Sequence, residues 1–226
     1  MGQLSTLDYP KSFPPKEFYV EPEAIALAQK LALKNLVETN PSETTIDNFL
    51  HECPALLAAC MNFTQFGHHG TWVVSQQVIR PPSLPAIRGL KPDYLVGGKG
   101  SRGYSWYVVE LKSPRDKLFA KGPTGSISLS KTANGGICQL LQYMDYCSAA
   151  QSYLRDTLRL SGFREPKGFL IIGREAELSA DSGLQELSRA FNEMTRGSVE
   201  IRTFDALVRS DTSTWIREGT IVEEKY

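Results

Sequence analysis

The sequence has few histidines and cysteines and no excess of charge, and each shortage narrows the possible functions. Its 226 residues include three histidines and four cysteines, and 25 basic residues are balanced by 25 acidic ones. The cysteines form no CxxC pair and their spacings fit no zinc knuckle, so we expect reduced structural thiols. Neither a signal peptide nor an apolar run of membrane length is present. We therefore expect a cytoplasmic protein with no membrane partner.

Charge is unevenly distributed although the total is zero. From Arg80 to Lys131 there are ten basic residues and three acidic ones, a local surplus of seven positive charges. The rest of the chain is equally negative. A basic segment of this kind favours a polyanion such as nucleic acid. The residues that we expect to bind nucleic acid here are Arg88, Lys91, Lys99, Arg102, Arg115, Lys117, Lys121 and Lys131.

The centre of the basic segment is typical of a β-hairpin. Two short strands, 93–96 and 104–111, are joined by the glycine-rich sequence GGKGSRG. Because alternate side chains of a strand point to opposite faces, Glu110 and Lys112 share one face and Leu111 lies on the other. Folding the hairpin brings Asp93 beside Glu110, 17 positions later. Two carboxylates and an ammonium at one sheet edge suit a divalent cation with a phosphate nearby.

The same residues carry a family resemblance. Pro92-Asp93 followed by Glu110-Leu111-Lys112 resembles the signature of the PD-(D/E)xK nuclease superfamily. The segments VVELKSPRDKLF, GICQLLQYMDY and KGFLIIGR resemble the nuclease domain of Shedu anti-phage defence proteins. FLHECPALL is similar to the FLxxNPxLL opening of that domain, with Cys53 where asparagine is usual. The likeness covers residues 45–207.

The resemblance implies an α/β fold, with a restriction-endonuclease-like αβββαβ core and a mixed central sheet flanked by helices. Hydrophobic periodicity gives the same order of elements, including a long helix over 135–160 and a buried strand over 167–174. Residues 113–134 between hairpin and helix read as a long polar loop. We expect a nuclease domain over 41–210 and a C-terminal tail over 211–226. Residues 1–40 would form an arm and a helix for packing or oligomerisation.

The resemblance also implies a ligand set for Mg²⁺, for which Mn²⁺ can substitute. Asp93, Glu110 and the backbone carbonyl of Leu111 would bind the ion. In many members of the superfamily an acidic residue of the first core helix joins them, and Glu52 is the candidate here. A solvated carboxylate near a proline is an equally good interpretation of Glu52.

A QxxxY motif on the helix after ExK is similar to one in related nucleases, where glutamine approaches the catalytic lysine and tyrosine approaches a DNA phosphate. We match it to Gln139 and Tyr143, which lie one turn apart. Gln142 and Tyr146 repeat the spacing in another register. An ordinary amphipathic helix with a half-buried tyrosine is the alternative.

These residues indicate metal-dependent hydrolysis of phosphodiester bonds, with Asp93, Glu110, Lys112 and Gln139 as catalytic residues. Lys112 would orient the attacking water and offset charge in the transition state. Similarity to Shedu proteins implies an endonuclease that nicks or cuts double-stranded DNA in phage defence. It also implies a homo-oligomer, either a dimer or a tetramer.

Three other interpretations stay open. The fold could serve a DNA-binding or sensor module that no longer cuts, or a scaffolding subunit of a defence complex. Glu110 and Lys112 could also form an ordinary ion pair at the end of the strand, worth only ~0–1 kcal/mol when exposed. We expect no metal site at His68-His69, because adjacent side chains diverge on most backbones and no third ligand is spaced nearby.

Overall fold

The structure is a computed structural model that describes residues 9–21, 25–61, 69–80 and 90–212. Its strands are β1 (Tyr19–Val20), β2 (Thr71–Ser75), β3 (Tyr94–Gly100), β4 (Gly103–Leu111), β5 (Phe119–Lys121), β6 (Ile127–Leu129), β7 (Lys167–Ile171) and β8 (Val199–Arg202). Six of them form one sheet in the order β1-β2-β3-β4-β7-β8, and β5 and β6 form a separate hairpin.

Helices cover both faces of the sheet. They are α1 (Leu27–Glu38), α2 (Glu43–Glu52), α3 (Pro54–Cys60), α4 (Lys131–Ala149), α5 (Gln151–Asp156), α6 (Glu175–Ser179), α7 (Ser182–Met194) and α8 (Phe204–Thr212). A short 3₁₀ turn, Lys16–Phe18, precedes β1. Within the described ranges, no helix has the length and apolar character needed to cross a membrane.

The expected mixed sheet and the αβββαβ order are confirmed. Strands β2, β3 and β4 are antiparallel neighbours, whereas β4, β7 and β8 run parallel. A parallel neighbour cannot be reached by a tight turn, so a crossover is required, and α4 lies in the connection between β4 and β7. The apolar strand β7 lies inside the sheet, between β4 and β8.

Side-chain alternation divides the sheet between two cores. Trp106 and Val108 of β4 pack with residues of α4, whereas Tyr107 and Val109 pack with residues of α1, α2, α3 and α8. Glu110 has the same parity as Val108, so its side chain lies on the α4 face, as the alternation predicts. The two cores hold the end of β4 between them and fix the direction of the side chains that leave it.

The segment after Lys112 is more ordered than a long polar loop. It contains the hairpin of β5 and β6, and α4 begins at Lys131, four residues before the expected start. Ser130 caps this helix, since its hydroxyl accepts a hydrogen bond from the Ala133 N–H at 3.0 Å. The expected long helix also breaks at Ala150, where ψ rises to 17° and α5 follows.

The N-terminal arm and α1 are packed onto the sheet. Strand β1 extends the sheet beside β2, and the Trp72 indole donates to the Tyr9 hydroxyl at 2.7 Å. Leu33 and Val37 of α1 are buried in the core that also contains α8. Residues 213–226, most of the expected tail, lie outside the described residues, and α8 extends to Thr212.

Candidate active site

A buried carboxylate ends the central strand. Glu110 is the next-to-last residue of β4, and only 3% of its surface is exposed. Its Oε1 accepts a hydrogen bond from Lys112 Nζ at 2.7 Å. Its Oε2 is buried and has no hydrogen-bond partner among the described residues. An unpartnered oxygen of this kind is costly unless a further cation or donor binds there.

Asp93 lies next to this carboxylate, where the hairpin spacing predicts it. It directly precedes β3, in which Tyr94 pairs with Val109. Asp93 Oδ2 accepts a hydrogen bond from the Leu111 N–H at 2.8 Å. Since the N–H and C=O of a strand residue point to the same side, the Leu111 carbonyl is also directed toward the Asp93 edge. Two carboxylates and one backbone carbonyl therefore converge on the end of the hairpin.

The charges at this point are strongly coupled. Burial, with the nearby Asp93 as the next cause, raises the pKa of Glu110 to about 7. Burial likewise raises the pKa of Asp93 to about 6, although the Leu111 N–H and Lys112 oppose the shift. Burial alone would lower the pKa of Lys112, but Glu110, Glu43 and Asp93 outweigh it and raise the value. The lysine is therefore held as an ammonium beside two carboxyl groups, and the negative charge of one opposes the ionisation of the other.

Helix α2 contributes a carboxylate that the sequence did not single out. Glu43, in its first turn, places Oε2 at 3.7 Å from Lys112 Nζ, and its charge acts on both Asp93 and Glu110. Glu52 is exposed at the other end of the same helix, nine residues and roughly 13 Å away. The structure thus brings Glu43, rather than Glu52, to the site. The sequence did carry one signal for Glu43. Ser42 is a typical N-cap residue, and it caps α2 so that the acidic first turn of the helix is held in place.

The α4 helix places one tyrosine beside the carboxylates. Tyr143 is half-buried, and burial and the charges of Glu110 and Asp93 raise its pKa. Gln139 is half-buried one turn earlier, and its side chain makes no hydrogen bond to another described residue. In the other register Gln142 is exposed, whereas the alternative tyrosine is buried in the core. The geometry therefore favours the register of Gln139 and Tyr143.

Close packing of α4 brings it against the lysine. A Cβ atom built on Gly136 would lie 3.4 Å from Lys112 Cε and 2.8 Å from Leu170 Cδ1. Glycine allows the helix backbone to approach the sheet at this point. The stem of Lys112 therefore lies between the sheet and α4, with its ammonium turned toward the carboxylates.

The basic residues are spread more widely than their sequence positions indicate. Lys99 and Arg102 are at the tip of the hairpin, where only Ser101 and Arg102 join β3 to β4. Six residues of strand separate Lys99 from Asp93, roughly 20 Å. This tip and the carboxylates lie at opposite ends of the same strands. Arg88 lies outside the described residues.

Other cations of the segment contact protein groups. Arg115 Nε donates to the Asn40 carbonyl, and Lys121 forms a 2.8 Å ion pair with Asp181. Lys117 is exposed and interacts electrostatically with Glu177.

Lys91 and Lys131 are the exposed cations closest in the chain to the site elements. Lys91 precedes Pro92 and Asp93, and its Nζ donates to Gln76 Oε1 at 2.9 Å. Lys131 opens α4, the helix that covers Lys112.

His69 is exposed near the hairpin tip, and His68 lies outside the described residues. In the described part of the chain no three His, Cys, Asp or Glu residues cluster to hold a metal.

Comparison with known proteins places the chain in a family. A search of curated proteins gave no match. Residues 40–208 match the family model described as Shedu protein SduA, C-terminal. The matched region includes α2, the hairpin, α4 and β7, and so contains every residue of the cluster just described. Since the match covers most of the chain, the protein belongs to the family of Shedu SduA C-terminal domains.

Proposed function

We propose that this protein is a metal-dependent endonuclease that nicks or cuts double-stranded DNA in anti-phage defence. Family membership links the chain to defence and, in general, to nuclease function. The observation that supports the specific chemistry is the Glu110 carboxylate, buried beside Asp93 with Oε2 unpartnered among the described residues. A carboxyl pair in this state suits a cation better than it suits structural packing.

The donors at the end of the hairpin fit Mg²⁺ or Mn²⁺. Asp93, Glu110 and the Leu111 carbonyl would supply hard oxygen ligands, and Mg²⁺ commonly uses only one or two carboxylates, with waters and substrate phosphate completing its shell. The small number of acidic ligands is therefore compatible with this ion. When bound, a divalent cation supplies Lewis-acid polarisation of a phosphoryl oxygen and lowers the pKa of a bound water.

The residues around the carboxylates would position charge around the phosphate of the substrate. The ammonium of Lys112, held by Glu110 at 2.7 Å and by Glu43 at 3.7 Å, is preorganised to offset negative charge that develops on the reacting phosphate. The Tyr143 hydroxyl would donate to a DNA phosphate, and burial keeps it protonated by raising its pKa. Gln139 would orient the water or the lysine. Lys131 would contact the DNA backbone from the start of α4.

A plasmid assay tests this function. Supercoiled and linear DNA would be incubated with Mg²⁺, Mn²⁺ or EDTA and with wild-type protein, Glu110→Ala or Lys112→Ala. We expect metal-dependent nicking or cutting that each substitution lowers by about 100-fold or more. Lys112→Ala should leave DNA binding nearly unchanged. Lys34→Ala removes an exposed lysine of α1 and serves as the matched control.

Binding without cleavage under every metal and DNA form would refute the enzyme and favour a DNA sensor of the same fold.

We also propose that the protein acts as a homo-oligomer in the cytoplasm, as the family resemblance implies. Light scattering on the full chain measures the oligomer.

A further inference from the structure

A strained residue adjoins the candidate metal ligand. Gln76 directly follows β2 and has φ of +49°, a left-handed conformation that non-glycine residues rarely adopt. Its side chain is exposed, so burial in the core does not account for this backbone. Residues held in such a conformation persist where the surrounding contacts fix them, and they are frequent at functional sites.

The backbone of Gln76 holds Asp93 directly. Its N–H donates to the Asp93 carbonyl at 2.8 Å. This bond extends the ladder of β2 and β3 by one step beyond the Ser75 and Tyr94 pair. The main chain of Asp93 is therefore tied on one side to Gln76, while its carboxylate is tied on the other side to the Leu111 N–H.

The side chain of Gln76 ties the same region to α2. Its Nε2 donates to Asp47 Oδ2 at 2.9 Å, and its Oε1 accepts from Lys91 Nζ at 2.9 Å. Asp47 Oδ1 in turn accepts from the Tyr94 hydroxyl at 2.7 Å. These contacts bracket Pro92 and Asp93, because Lys91 precedes them and Tyr94 follows them.

We infer that Gln76 is a positioning residue for Asp93: it fixes the segment that presents this carboxylate to the metal, and it connects that segment to α2 through Asp47. The inference rests on the proposed metal-dependent function. Removal of the side chain should weaken metal binding more than DNA binding, because the ligand and not the DNA surface loses its support. Partners of this kind, one step removed from the ion, typically change metal affinity by roughly 10- to 100-fold.

Gln76→Gly isolates the side chain. Glycine accepts φ of +49° without strain and keeps the N–H that donates to Asp93. Gln76→Asn keeps an amide and tolerates the same backbone, so it should restore part of the affinity. Arg196→Gly is the matched control, because Arg196 also has φ of +49° and is exposed just after α7.

The variants would be compared by calorimetric titration of Mn²⁺ into the DNA-free protein, by thermal melting, and by the Mg²⁺ and DNA dependence of nicking. For Gln76→Gly we expect Mn²⁺ affinity to fall by roughly 10-fold or more, with an unchanged melting temperature and a KM for DNA within about twofold of wild type. Arg196→Gly should match wild type in every measurement.

Each result decides the matter. Unchanged Mn²⁺ affinity in Gln76→Gly would overturn the inference, as would an affinity loss accompanied by a matching loss of melting temperature, which indicates a merely structural residue. A wild-type protein that binds no Mn²⁺ would overturn it too. If wild type binds Mn²⁺ but cuts no DNA, and Gln76→Gly weakens that binding, the proposed function fails and the positioning role stands.

Discussion

At the scale of single residues, the cost of burying Glu110 is the central physical fact. Lys112 satisfies one oxygen of its carboxylate, and the other is buried without a hydrogen-bond partner among the described residues. Leaving a buried acceptor unsatisfied typically costs about 1–3 kcal/mol, and more when it is charged. The metal-free protein can relieve this cost by keeping the carboxyl group protonated, so its stability should depend on pH.

The sign of this dependence follows from the raised pKa of Glu110. Below pH 4.5, its ordinary pKa, the group is protonated in both the folded and the unfolded chain. Between pH 4.5 and about 7 the unfolded chain has lost a proton that the folded protein keeps, so stability falls as pH rises. Above about pH 7 the loss is complete. Its size is on the order of 3 kcal/mol.

Urea unfolding in EDTA at pH 5 and pH 8 measures this effect. Glu110→Gln removes the titration, so the variant should gain stability relative to wild type as pH rises. Glu186→Gln, exposed on α7, is the control and should follow wild type. Adding Mg²⁺ at pH 8 should stabilise wild type but not Glu110→Gln. Parallel pH profiles for wild type and Glu110→Gln would contradict the assignment.

A second residue-scale prediction separates the two acidic residues of α2. Glu43→Ala should lower metal-dependent cleavage by about 10-fold or more, because Glu43 lies near Lys112 and acts on both carboxylates. Glu52→Ala should leave cleavage unchanged, because Glu52 is exposed at the opposite end of the helix. Initial rates on supercoiled plasmid at one Mg²⁺ concentration measure both. The reverse ranking would restore Glu52 as the acidic residue of the site.

The geometry of the candidate site was predictable where a single hairpin determines it. Alternation along β4 and pairing with β3 are enough to bring Asp93, Glu110 and Lys112 together. Glu43 was not predictable in the same way, because its position depends on which end of α2 meets the sheet. The positions of Lys99 and Arg102 were not predictable from closeness in sequence. They are near Asp93 in the chain but a strand length away in space.

At the scale of elements, the outer edge of β8 is closed by the helix before it. The Asn192 side chain of α7 donates to the Ile201 carbonyl at 3.1 Å and accepts from the Ile201 N–H at 2.9 Å. The Thr195 hydroxyl donates to the Val199 carbonyl at 2.6 Å. An open edge strand offers such groups to another chain, and these side chains occupy them instead.

Asn192→Ala should therefore destabilise the fold and expose the edge. Two hydrogen bonds to one residue are lost, so we expect the free energy of unfolding to fall by about 1–3 kcal/mol in urea titrations. Self-association measured by light scattering should increase. Gln185→Ala, which removes an exposed amide from the same helix, should change neither quantity. An unchanged stability of Asn192→Ala would show that the edge does not depend on this contact.

Elements with a clear local signal were predicted well. Asp181 is of a residue type favoured at the start of a helix, and its carboxylate caps α7 by accepting from the Gly183 N–H at 2.9 Å. The β5 and β6 hairpin was missed because its three-residue strands are too short to show periodicity in a polar, glycine-rich segment. The break at Ala150 carries no glycine or proline, so no local sequence signal predicts it.

At the scale of the whole molecule, α1 is part of the folded body although the family match begins after it. Arg174, which follows β7, donates to the Val37 carbonyl at 2.8 Å and pairs with Glu38 at 3.1 Å and Asp205 at 2.9 Å. One guanidinium therefore joins α1, α8 and the end of the sheet. Truncation of residues 1–40 would remove β1 and α1 from the core. The truncated protein would therefore lose stability, and its molar mass would not report on oligomerisation alone.

Two leucines of α1 test this packing with the same substitution. Leu33 is 1% exposed and Leu31 is 44% exposed. Leu33→Ala should lower the free energy of unfolding by about 2–5 kcal/mol, because it leaves a cavity between α1 and the other helices on this face of the sheet. Leu31→Ala should change it by less than about 0.5 kcal/mol. Alanine and leucine have similar helix propensities, so the difference between the variants measures tertiary packing alone.

Urea titration of the full chain distinguishes two roles for α1. If α1 is integral to the domain, Leu33→Ala shifts the single unfolding transition and Leu31→Ala does not. If α1 only docks on a second subunit, the exposed position should matter more, and Leu31→Ala should change the molar mass while Leu33→Ala leaves stability intact. The burial of Leu33 and Val37 together with Phe204 and Leu207 of α8 favours the first result.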